Sequence, residues 1–400
     1  MYIHRFADKK IEELLKSKKV LLVLGARQVG KTTSVQNYLK DRKSVYLNFD
    51  LDIDRNRFLA SASLSAFDAH AYFGSPDYLA LDEAQREITT ARIVKGWFDS
   101  HVPMRVILLG SSSLNLLNQS VESLTGRNEK LFLTPFLFRE LVECQIWFDT
   151  KLSHEALLAS FGPQIRTLLM QSMVYGNYPE AVISEKREDF LLNLISDYLF
   201  KDILQLGLVK SPDQIKRLLL LLAHQVCSEV SINELSNSLD MSRQTVERYI
   251  DILEQAFVIF RLPAFSTNPR KEITKNQKIY FYDTGVRNAL LKEFSMNESR
   301  SDIGALWENW VVAEYMKMNL LNGQPDNLYF WRSRSQSEVD LVIKGARTDD
   351  LPGGLLAYEI KWKRQGQGSR AFEDQYKVKV NMLHSEDPFV ISRPSIIPTI

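Results

Sequence analysis

Cysteine is the scarcest chemically reactive residue of this chain. Only Cys144 and Cys227 occur among its 400 residues. Two thiols so far apart in sequence cannot form a disulfide framework or a zinc cluster. Both lie in apolar segments, where we expect a buried thiol that takes no part in redox chemistry.

Long apolar runs and an excess of one charge are also absent. No stretch approaches the roughly 20 apolar residues that cross a bilayer, and the charged N-terminus lacks a signal-peptide core. We therefore expect a cytoplasmic protein without a membrane partner. Lys and Arg total 50 against 49 Asp and Glu, a net charge of +1. The whole chain has no polyanion-binding footprint, so any nucleic-acid contact must be local.

A chain of 400 residues, 45% of them hydrophobic, is long enough for two or three domains. In the first third, helical patterns alternate with strand-like runs, which predicts a parallel sheet covered by helices. From 139 to 225, amphipathic helices broken at 161–163 and 175–179 predict a helical lid. The predicted strands are residues 20–24, 44–49, 78–81, 105–109 and 130–133.

A glycine-rich turn follows the first predicted strand directly. Residues 25–32 read GARQVGKT. Gly25 and Gly30 permit the positive φ angles with which backbone N–H groups wrap around phosphate oxygens. Lys31 would supply charge to the β and γ phosphates of ATP, and Thr32 would hold Mg²⁺ at the start of the next helix. The alternative is a chance match in a glycine turn.

An acidic pair ends the strand predicted at 78–81. Asp82 at the carboxyl end of that strand would hold Mg²⁺ through water, and Glu83 would polarise the attacking water. An acidic pair after a strand can also be a solvated loop. Because a P-loop needs such a carboxylate on a neighbouring strand to hydrolyse ATP, its position after the glycine turn favours a catalytic role.

Residues 231–262 predict a helix, a turn, a second helix with Ser242 as N-cap, and a β-prone segment. This order resembles a winged helix-turn-helix. Residues 201–261 carry seven basic and eight acidic side chains, which is not the charge of a DNA-binding face. The basic stretches at 270–278 and 361–370 are better candidates for phosphate contacts, with solvated loops as the alternative.

Carboxylates and a lysine alternate along two predicted strands of the C-terminal region, at 338–343 and 355–362. Glu338 and Asp340 share one face of a strand, as do Glu359 and Lys361. Asp340, Glu359 and Lys361 can therefore converge. Edge strands also carry alternating Glu and Lys for solubility, and this alternative stays open.

Several short motifs follow one another in a set order. They are GARQVGKTT at 25–33, LDEAQ at 81–85, GSSS at 110–113, SLTGR at 123–127, YDTG at 282–285, WR at 331–332 and EVD at 338–340. In this order they resemble prokaryotic AAA+ ATPases that join a P-loop domain to a winged helix and a C-terminal restriction-endonuclease-like domain, a family with a domain of unknown function. The resemblance covers nearly the whole chain.

The resemblance implies roles for residues of the ATPase half. Thr33 belongs to the nucleotide-binding loop, and Ser111 or Ser112 would sense the γ-phosphate, with a serine-rich turn as the alternative. Arg127 lies where AAA+ ATPases carry an arginine finger that reaches the neighbouring subunit, with an ion pair to Glu129 or Glu122 as the alternative. A homo-oligomer follows from that role.

It also implies roles in the C-terminal domain. Asp340 and Glu359 would bind Mg²⁺, with Glu308 as an additional acidic position of some such nucleases. Lys361 would position or activate water against a phosphodiester. A preserved fold can nevertheless lose its activity.

We therefore predict an α/β protein with four parts. They are a parallel-sheet P-loop AAA+ core at 1–138, a helical lid at 139–225, a winged helix and connector at 226–300, and a restriction-endonuclease-like α/β domain at 301–400. The predicted function is ATP binding and hydrolysis coupled to a DNA-directed, nuclease-like C-terminal half. The alternative is an ATP-dependent regulatory or binding module whose silent nuclease-like domain contacts a protein partner.

Overall fold

The computed structural model describes residues 2–110, 124–199, 211–266, 277–323, 326–333, 335–345, 354–364 and 366–389. The predicted sensor Ser111 and its alternative Ser112 lie outside the described residues, as does the basic stretch at 270–276. The chain divides into two compact units, His4–Thr134 and Met1–Ile3 with Pro135–Ile400. No helix within the described ranges has both the length and the apolar character that a membrane crossing requires.

The unit His4–Thr134 is built on a five-stranded sheet with the order β2-β3-β4-β1-β5. Every neighbouring pair is parallel, which confirms the predicted sheet. In chain order the elements are α1 (Phe6–Leu14), β1 (Val20–Leu24), α2 (Lys31–Leu39), β2 (Ser44–Asn48), α3 (Asp52–Ser61), α4 (Ala66–Tyr72), β3 (Tyr78–Asp82), α5 (Thr90–Asp99), β4 (Arg105–Gly110) and β5 (Asn128–Phe132).

Strand β1 lies between β4 and β5, and all five of its side chains are buried. Its sequence VLLVL is apolar throughout, as is typical of a parallel strand covered on both faces. Side chains of β1, β3 and β4 pack with those of α3 and α5, including Phe58 and Trp97, whose rings are 5.6 Å apart. This core determines where the carboxyl ends of the strands lie.

The second unit begins with helices. They are α6 (Phe138–Glu143), α7 (His154–Tyr175), α8 (Pro179–Ile183), α9 (Arg187–Asn193), a π-helical turn (Leu194–Leu199) and α10 (Pro212–His224). The predicted break at 161–163 is a kink inside α7, where Phe161 leaves the helical region with φ −128°. Pro163 lacks an N–H and crowds the preceding turn. The break predicted at 175–179 is confirmed, since α7 ends at Tyr175 and α8 begins at Pro179.

A small antiparallel sheet follows, with the strand order β6-β8-β7. Ser242 caps the second helix of this segment by accepting a hydrogen bond from the Thr245 N–H, as the sequence predicts. The elements are β6 (Glu229–Val230), α11 (Ile232–Leu239), α12 (Arg243–Gln255), β7 (Ile259–Leu262), β8 (Gln277–Phe281) and α13 (Thr284–Leu291).

The C-terminal segment contains a four-stranded mixed sheet with the order β12-β11-β10-β9. The pairs β9–β10 and β10–β11 are antiparallel, and β11–β12 is parallel. The elements are α14 (Ile303–Leu321), β9 (Asn327–Arg332), β10 (Glu338–Lys344), β11 (Leu356–Lys361), α15 (Arg370–Tyr376) and β12 (Val380–His384). Strands β10 and β11 are the two that the alternating pattern predicted.

A buried polar cluster packs the turn after α7 against the start of α13. The carboxylate of Asp283 accepts hydrogen bonds from the N–H groups of Asn177 at 2.7 Å and Gly285 at 2.9 Å. The Asn177 side chain accepts a hydrogen bond from Ser172 and donates one to the Phe136 carbonyl. Burial raises the pKa of Asp283 to about 6, although the N–H donors oppose that rise. The turn therefore has a structural role in this unit.

Gly176 tests how tightly this cluster is packed. Its φ is +69°, and a Cβ there would lie 1.8 Å from Asp283 Oδ1. We expect Gly176→Ala to cost about 2 kcal/mol or more, because both the backbone and the carboxylate must shift. A fall in melting temperature of roughly 5 °C would follow, measured by differential scanning calorimetry.

The matched control is Gly304→Ala, in the first turn of α14, where a Cβ meets no atom within 4 Å. We expect this variant to melt at or above the wild-type temperature, since alanine favours a helix. Equal melting of both variants would contradict the packing role of the turn.

Candidate functional site

The turn between β1 and α2 has a backbone that only glycine accommodates at its first position. Gly25 has φ +153°, and a Cβ there would lie 2.0 Å from the Leu133 carbonyl oxygen. That carbonyl approaches closely because the Leu133 N–H donates to the Leu24 carbonyl at 2.7 Å, extending the pairing of β5 with β1. Gly30 ends the turn in the left-handed conformation as N-cap of α2. The loop is therefore held against the sheet.

The ammonium of Lys31 is buried inside this loop. Its Nζ donates to the carbonyl oxygens of Gly25 at 3.0 Å and Ala26 at 2.8 Å. These neutral acceptors hold the charge at the site where the sequence predicts phosphate binding. Thr33, in the same first turn of α2, is exposed.

Asp82 ends β3, and its buried carboxylate accepts three hydrogen bonds. Its Oδ2 accepts from the Thr32 hydroxyl at 2.5 Å and from the Tyr46 hydroxyl, and its Oδ1 accepts from the Glu83 N–H at 2.9 Å. A hydroxyl and a carboxylate in contact are the pair that P-loop proteins use to hold Mg²⁺. Thr32 and Asp82 therefore fit this ion.

Tyr46 was not predicted from the sequence. Burial, and then its hydrogen bond to Asp82, raise the pKa of this tyrosine well above its usual range. The tyrosine lies on β2, next to β3 in the sheet, with Tyr46 paired to Ala80. Its side chain reaches Asp82 only because of that pairing, and no local motif signals it.

Glu83 follows Asp82 directly and has a left-handed backbone with φ +50°. Its Oε2 accepts a hydrogen bond from the Gln85 amide at 2.5 Å. The carboxylate is thus oriented at the carboxyl edge of the sheet, which is the edge where the glycine loop also begins. This is the position expected of a group that polarises water beside the phosphates.

Arg5 is a second residue of the site that the sequence does not reveal. Its guanidinium is buried and donates to the carbonyls of Val29, in the glycine loop, at 2.6 Å and Thr134 at 2.5 Å. It thereby connects the loop to the chain that leaves β5. Charge in the N-terminal segment was noted as a sign against a signal peptide, and nothing local indicated this contact.

Arg127 lies at the opposite edge of the same sheet. Its carbonyl accepts from the N–H of Val20, where β1 begins, so a five-residue strand of roughly 16 Å separates it from the glycine loop of its own chain. Its Nε donates to Asp99 Oδ1 at 2.7 Å. That hydrogen bond lowers the pKa of Asp99. The ion-pair partner is therefore Asp99, while Glu129 pairs with Lys19 at 3.2 Å.

In the second unit, Asp340 on β10 and Glu359 and Lys361 on β11 converge. Lys361 Nζ lies 2.7 Å from Glu359 Oε1 and 3.6 Å from Asp340 Oδ2. Asp340 Oδ2 also accepts the N–H of Ile360 at 2.7 Å. Burial raises the pKa of Glu359. Burial opposes the charge on Lys361, but Asp340 and Glu359 outweigh it and raise the pKa of the lysine.

A second lysine, Lys278 on β8, enters the same group of carboxylates. Its Nζ lies 2.5 Å from Glu338, 3.0 Å from Glu308 and 4.0 Å from Asp340. Glu308 also accepts from the Tyr280 hydroxyl at 2.7 Å. Burial raises the pKa of Glu308 to about 7, and Lys278 opposes this rise. We call Glu308, Glu338, Asp340, Glu359, Lys278 and Lys361 the carboxylate cluster.

Two sequence-based expectations change here. Lys278 was placed in a basic stretch as a candidate phosphate contact, but it is buried on a strand and paired with carboxylates. Glu308, expected as an extra metal ligand, contacts Lys278 and Tyr280. Within the described ranges, no three or more His, Cys, Asp or Glu side chains are grouped so that they could hold a metal ion. The cluster in this arrangement does not fit Mg²⁺.

In comparison with known proteins, residues 17–142 match the model of an AAA domain. Residues 166–297 and 303–393 match two domains of unknown function. An uncharacterized protein of Mycobacterium tuberculosis is 27% identical over 366 residues, which cover 89% of this chain and 73% of the relative. One of Methanocaldococcus jannaschii is 24% identical over 389 residues, covering 92% and 81%.

Among solved structures, the Walker-type ATPase of Pyrococcus abyssi is similar with a TM-score of 0.47 and 14% identity, covering 72% of this chain and 96% of that one. A signal-transduction ATPase of Pyrococcus horikoshii, which has a tetratricopeptide repeat sensor, has a TM-score of 0.31 and 10% identity, covering 80% and 45%. The AAA domain match supports a P-loop ATPase fold with ATP binding and hydrolysis.

Arg5 provides a test of the loop geometry. We expect Arg5→Met to weaken ATP binding by about tenfold, because losing a charged hydrogen bond to a buried carbonyl costs about 1.5 kcal/mol and loosens the loop. Fluorescence titration with a labelled ATP analogue measures the affinity. Lys9→Met, at an exposed position of α1, is the control and should bind like wild type. Wild-type affinity in Arg5→Met would show that the loop does not depend on this contact.

Proposed function

We propose that this protein is an ATP-hydrolysing switch whose P-loop unit controls the state of its C-terminal half. The observation that carries the proposal is the hydrogen bond of 2.5 Å between Thr32 and Asp82, beside the buried ammonium of Lys31. A phosphate cradle, a hydroxyl and a carboxylate meet there at one edge of a parallel sheet, and the AAA domain match covers all three.

Each residue of the site has a separate task in this proposal. Backbone N–H groups of the glycine loop and Lys31 bind the phosphates, since the ammonium exchanges two neutral carbonyls for anionic oxygens. Thr32 and Asp82 would hold Mg²⁺, which neutralises charge on the phosphates when bound. Glu83, oriented by Gln85, accepts a proton from the attacking water.

Arg127 acts on a neighbouring copy of the chain in this proposal. Within its own chain it lies at the wrong edge of the sheet, and its exposed ion pair with Asp99 is of a kind worth little in water. The guanidinium can therefore leave Asp99 for a phosphate at small cost. A homo-oligomer in which Arg127 reaches the next ATP would make assembly a condition for turnover.

The C-terminal half is the output of the switch. The mixed sheet carrying Asp340, Glu359 and Lys361 supports a nuclease-like assignment, and the helices α11 and α12 with the β6-β8-β7 sheet support a winged helix. Exposed Lys363 and Arg364 are the candidates for contact with DNA phosphates. The lysines within the carboxylate cluster favour the second function, a domain without metal-dependent cleavage that regulates or binds a partner.

Substitutions of Glu83 and Lys31 separate ATP hydrolysis from ATP binding. We expect Glu83→Gln to bind ATP like wild type and to hydrolyse it at least 100-fold more slowly, because the general base is lost. Lys31→Ala should lose ATP binding, because the phosphates lose the cation of the loop. Phosphate release and analogue titration measure the two properties. Glu12→Gln, exposed on α1, is the control. Wild-type turnover in Glu83→Gln would refute the role of Glu83.

Mixing two inactive variants tests the action of Arg127 across subunits. We expect Arg127→Ala to be inactive alone and to regain turnover when mixed with Lys31→Ala, which contributes an intact guanidinium to its neighbour. Phosphate release at constant total protein measures the recovery. Asp99→Asn removes the ion pair but keeps the arginine, so it should retain wild-type turnover. If Arg127→Ala and Asp99→Asn lost activity equally, and mixing with Lys31→Ala restored none, Arg127 would have only a structural role.

A further inference from the structure

The ammonium of Lys278 occupies the middle of the carboxylate cluster. Oxygens of Glu338, Glu308 and Asp340 surround its Nζ at 2.5, 3.0 and 4.0 Å. The side chain is 4% exposed and lies above the Phe330 ring, with Nζ 5.5 Å from the ring centre. These carboxylates come from α14 and β10, whereas the lysine comes from β8 in the other sheet.

Such a position is the one a divalent cation would need. Carboxylate oxygens from different elements converge on one point, but those of Glu308 and Asp340 lie 3.0 and 4.0 Å from it, beyond the roughly 2.0–2.6 Å at which Mg²⁺ and Ca²⁺ take oxygens. An ammonium and a divalent cation cannot share the point, because like charges repel strongly in a buried site. Lys278 therefore competes directly with a metal for these oxygens.

Lys278 neutralises only part of the negative charge of the carboxylate cluster. Four carboxylates, of Glu308, Glu338, Asp340 and Glu359, face two ammonium groups, of Lys278 and Lys361, and the guanidinium of Arg332 lies 3.9 Å from Glu338 Oε2. One oxygen, Glu359 Oε2, is buried without a hydrogen-bond partner among the described residues. Removing Lys278 would leave the four carboxyl groups with the ammonium of Lys361 and the guanidinium of Arg332, which Glu229 shares. A site with that excess of negative charge and an unused oxygen attracts a cation.

We propose that Lys278 is a built-in cation that takes the place of a divalent metal in the carboxylate cluster and excludes one from it. Removing its charge should convert the cluster into a divalent-cation site centred on Asp340. The metal-exclusion proposal depends on the nuclease-like assignment of the proposed function only for its biological significance. The competition itself depends on the described distances and does not involve the P-loop.

Manganese provides the test, because its paramagnetic resonance signal in water disappears on binding. We expect nucleotide-free Lys278→Met to bind Mn²⁺ at least tenfold more tightly than wild type. Methionine fills a similar volume and keeps a favourable contact with Phe330. The gain should disappear in Lys278→Met/Asp340→Asn, which places the ion at this cluster. Lys344→Met, exposed at the end of β10, is the control and should bind like wild type.

Thermal unfolding gives a second measurement. Lys278→Met should melt below wild type in EDTA and recover with Mn²⁺, because a metal that binds only the folded state stabilises it. If this variant does not fold, Lys278→Gln/Glu308→Gln removes one charge of each sign and should still gain Mn²⁺ affinity.

Two results would overturn the proposal. One is a folded Lys278 variant that binds Mn²⁺ no better than Lys344→Met. The other is wild-type protein that already binds Mn²⁺ tightly in a manner lost in Asp340→Asn. ATP turnover is measured separately on the same wild-type protein, so an inactive P-loop would refute the proposed function without affecting this result.

Discussion

A buried charge must find partners inside the protein, and this constraint governs both candidate sites. Stripping a charged group of water costs several kcal/mol unless hydrogen bonds or an opposite charge replace it. Lys31 is held by two carbonyls, and Asp82 by two hydroxyls and an N–H. Lys278 is held by carboxylates. The backbone around each group is arranged so that these partners are within reach.

The kind of partner distinguishes the two sites. The carbonyls around Lys31 are neutral, so the hydrogen bonds of the ammonium become stronger when charged phosphate oxygens replace these carbonyls. Carboxylates already surround Lys278, so the hydrogen bonds of the lysine would gain little strength from another anion. The neutral partners of Lys31 therefore suit a ligand that binds and dissociates. The carboxylate partners of Lys278 suit a permanent contact. This difference supports the proposals that Lys31 binds phosphates and that Lys278 excludes a metal from the carboxylate cluster.

Much of the candidate ATP site could be predicted from the chain because its signals are local. Gly25, Gly30, Lys31 and Thr32 lie within one turn after an apolar strand, and Asp82 follows another. Since the carboxyl ends of parallel strands meet at one edge of a sheet, these motifs were expected to converge. Arg5 and Tyr46 were not predicted, because each acts on a residue that is distant in sequence and adjacent only in the fold.

The sequence by itself determined the parallel sheet, the glycine-rich turn after its first strand and the strands that bring Asp340 to Glu359 and Lys361. Their periods and spacings are properties of neighbouring residues, which local backbone geometry converts into structure. Only the tertiary structure decided that Arg127 pairs with Asp99 and that Lys278, at the end of a basic stretch, is buried among carboxylates. The residue type determines a side chain's charge, but its partners depend on which distant strands and helices pack beside it.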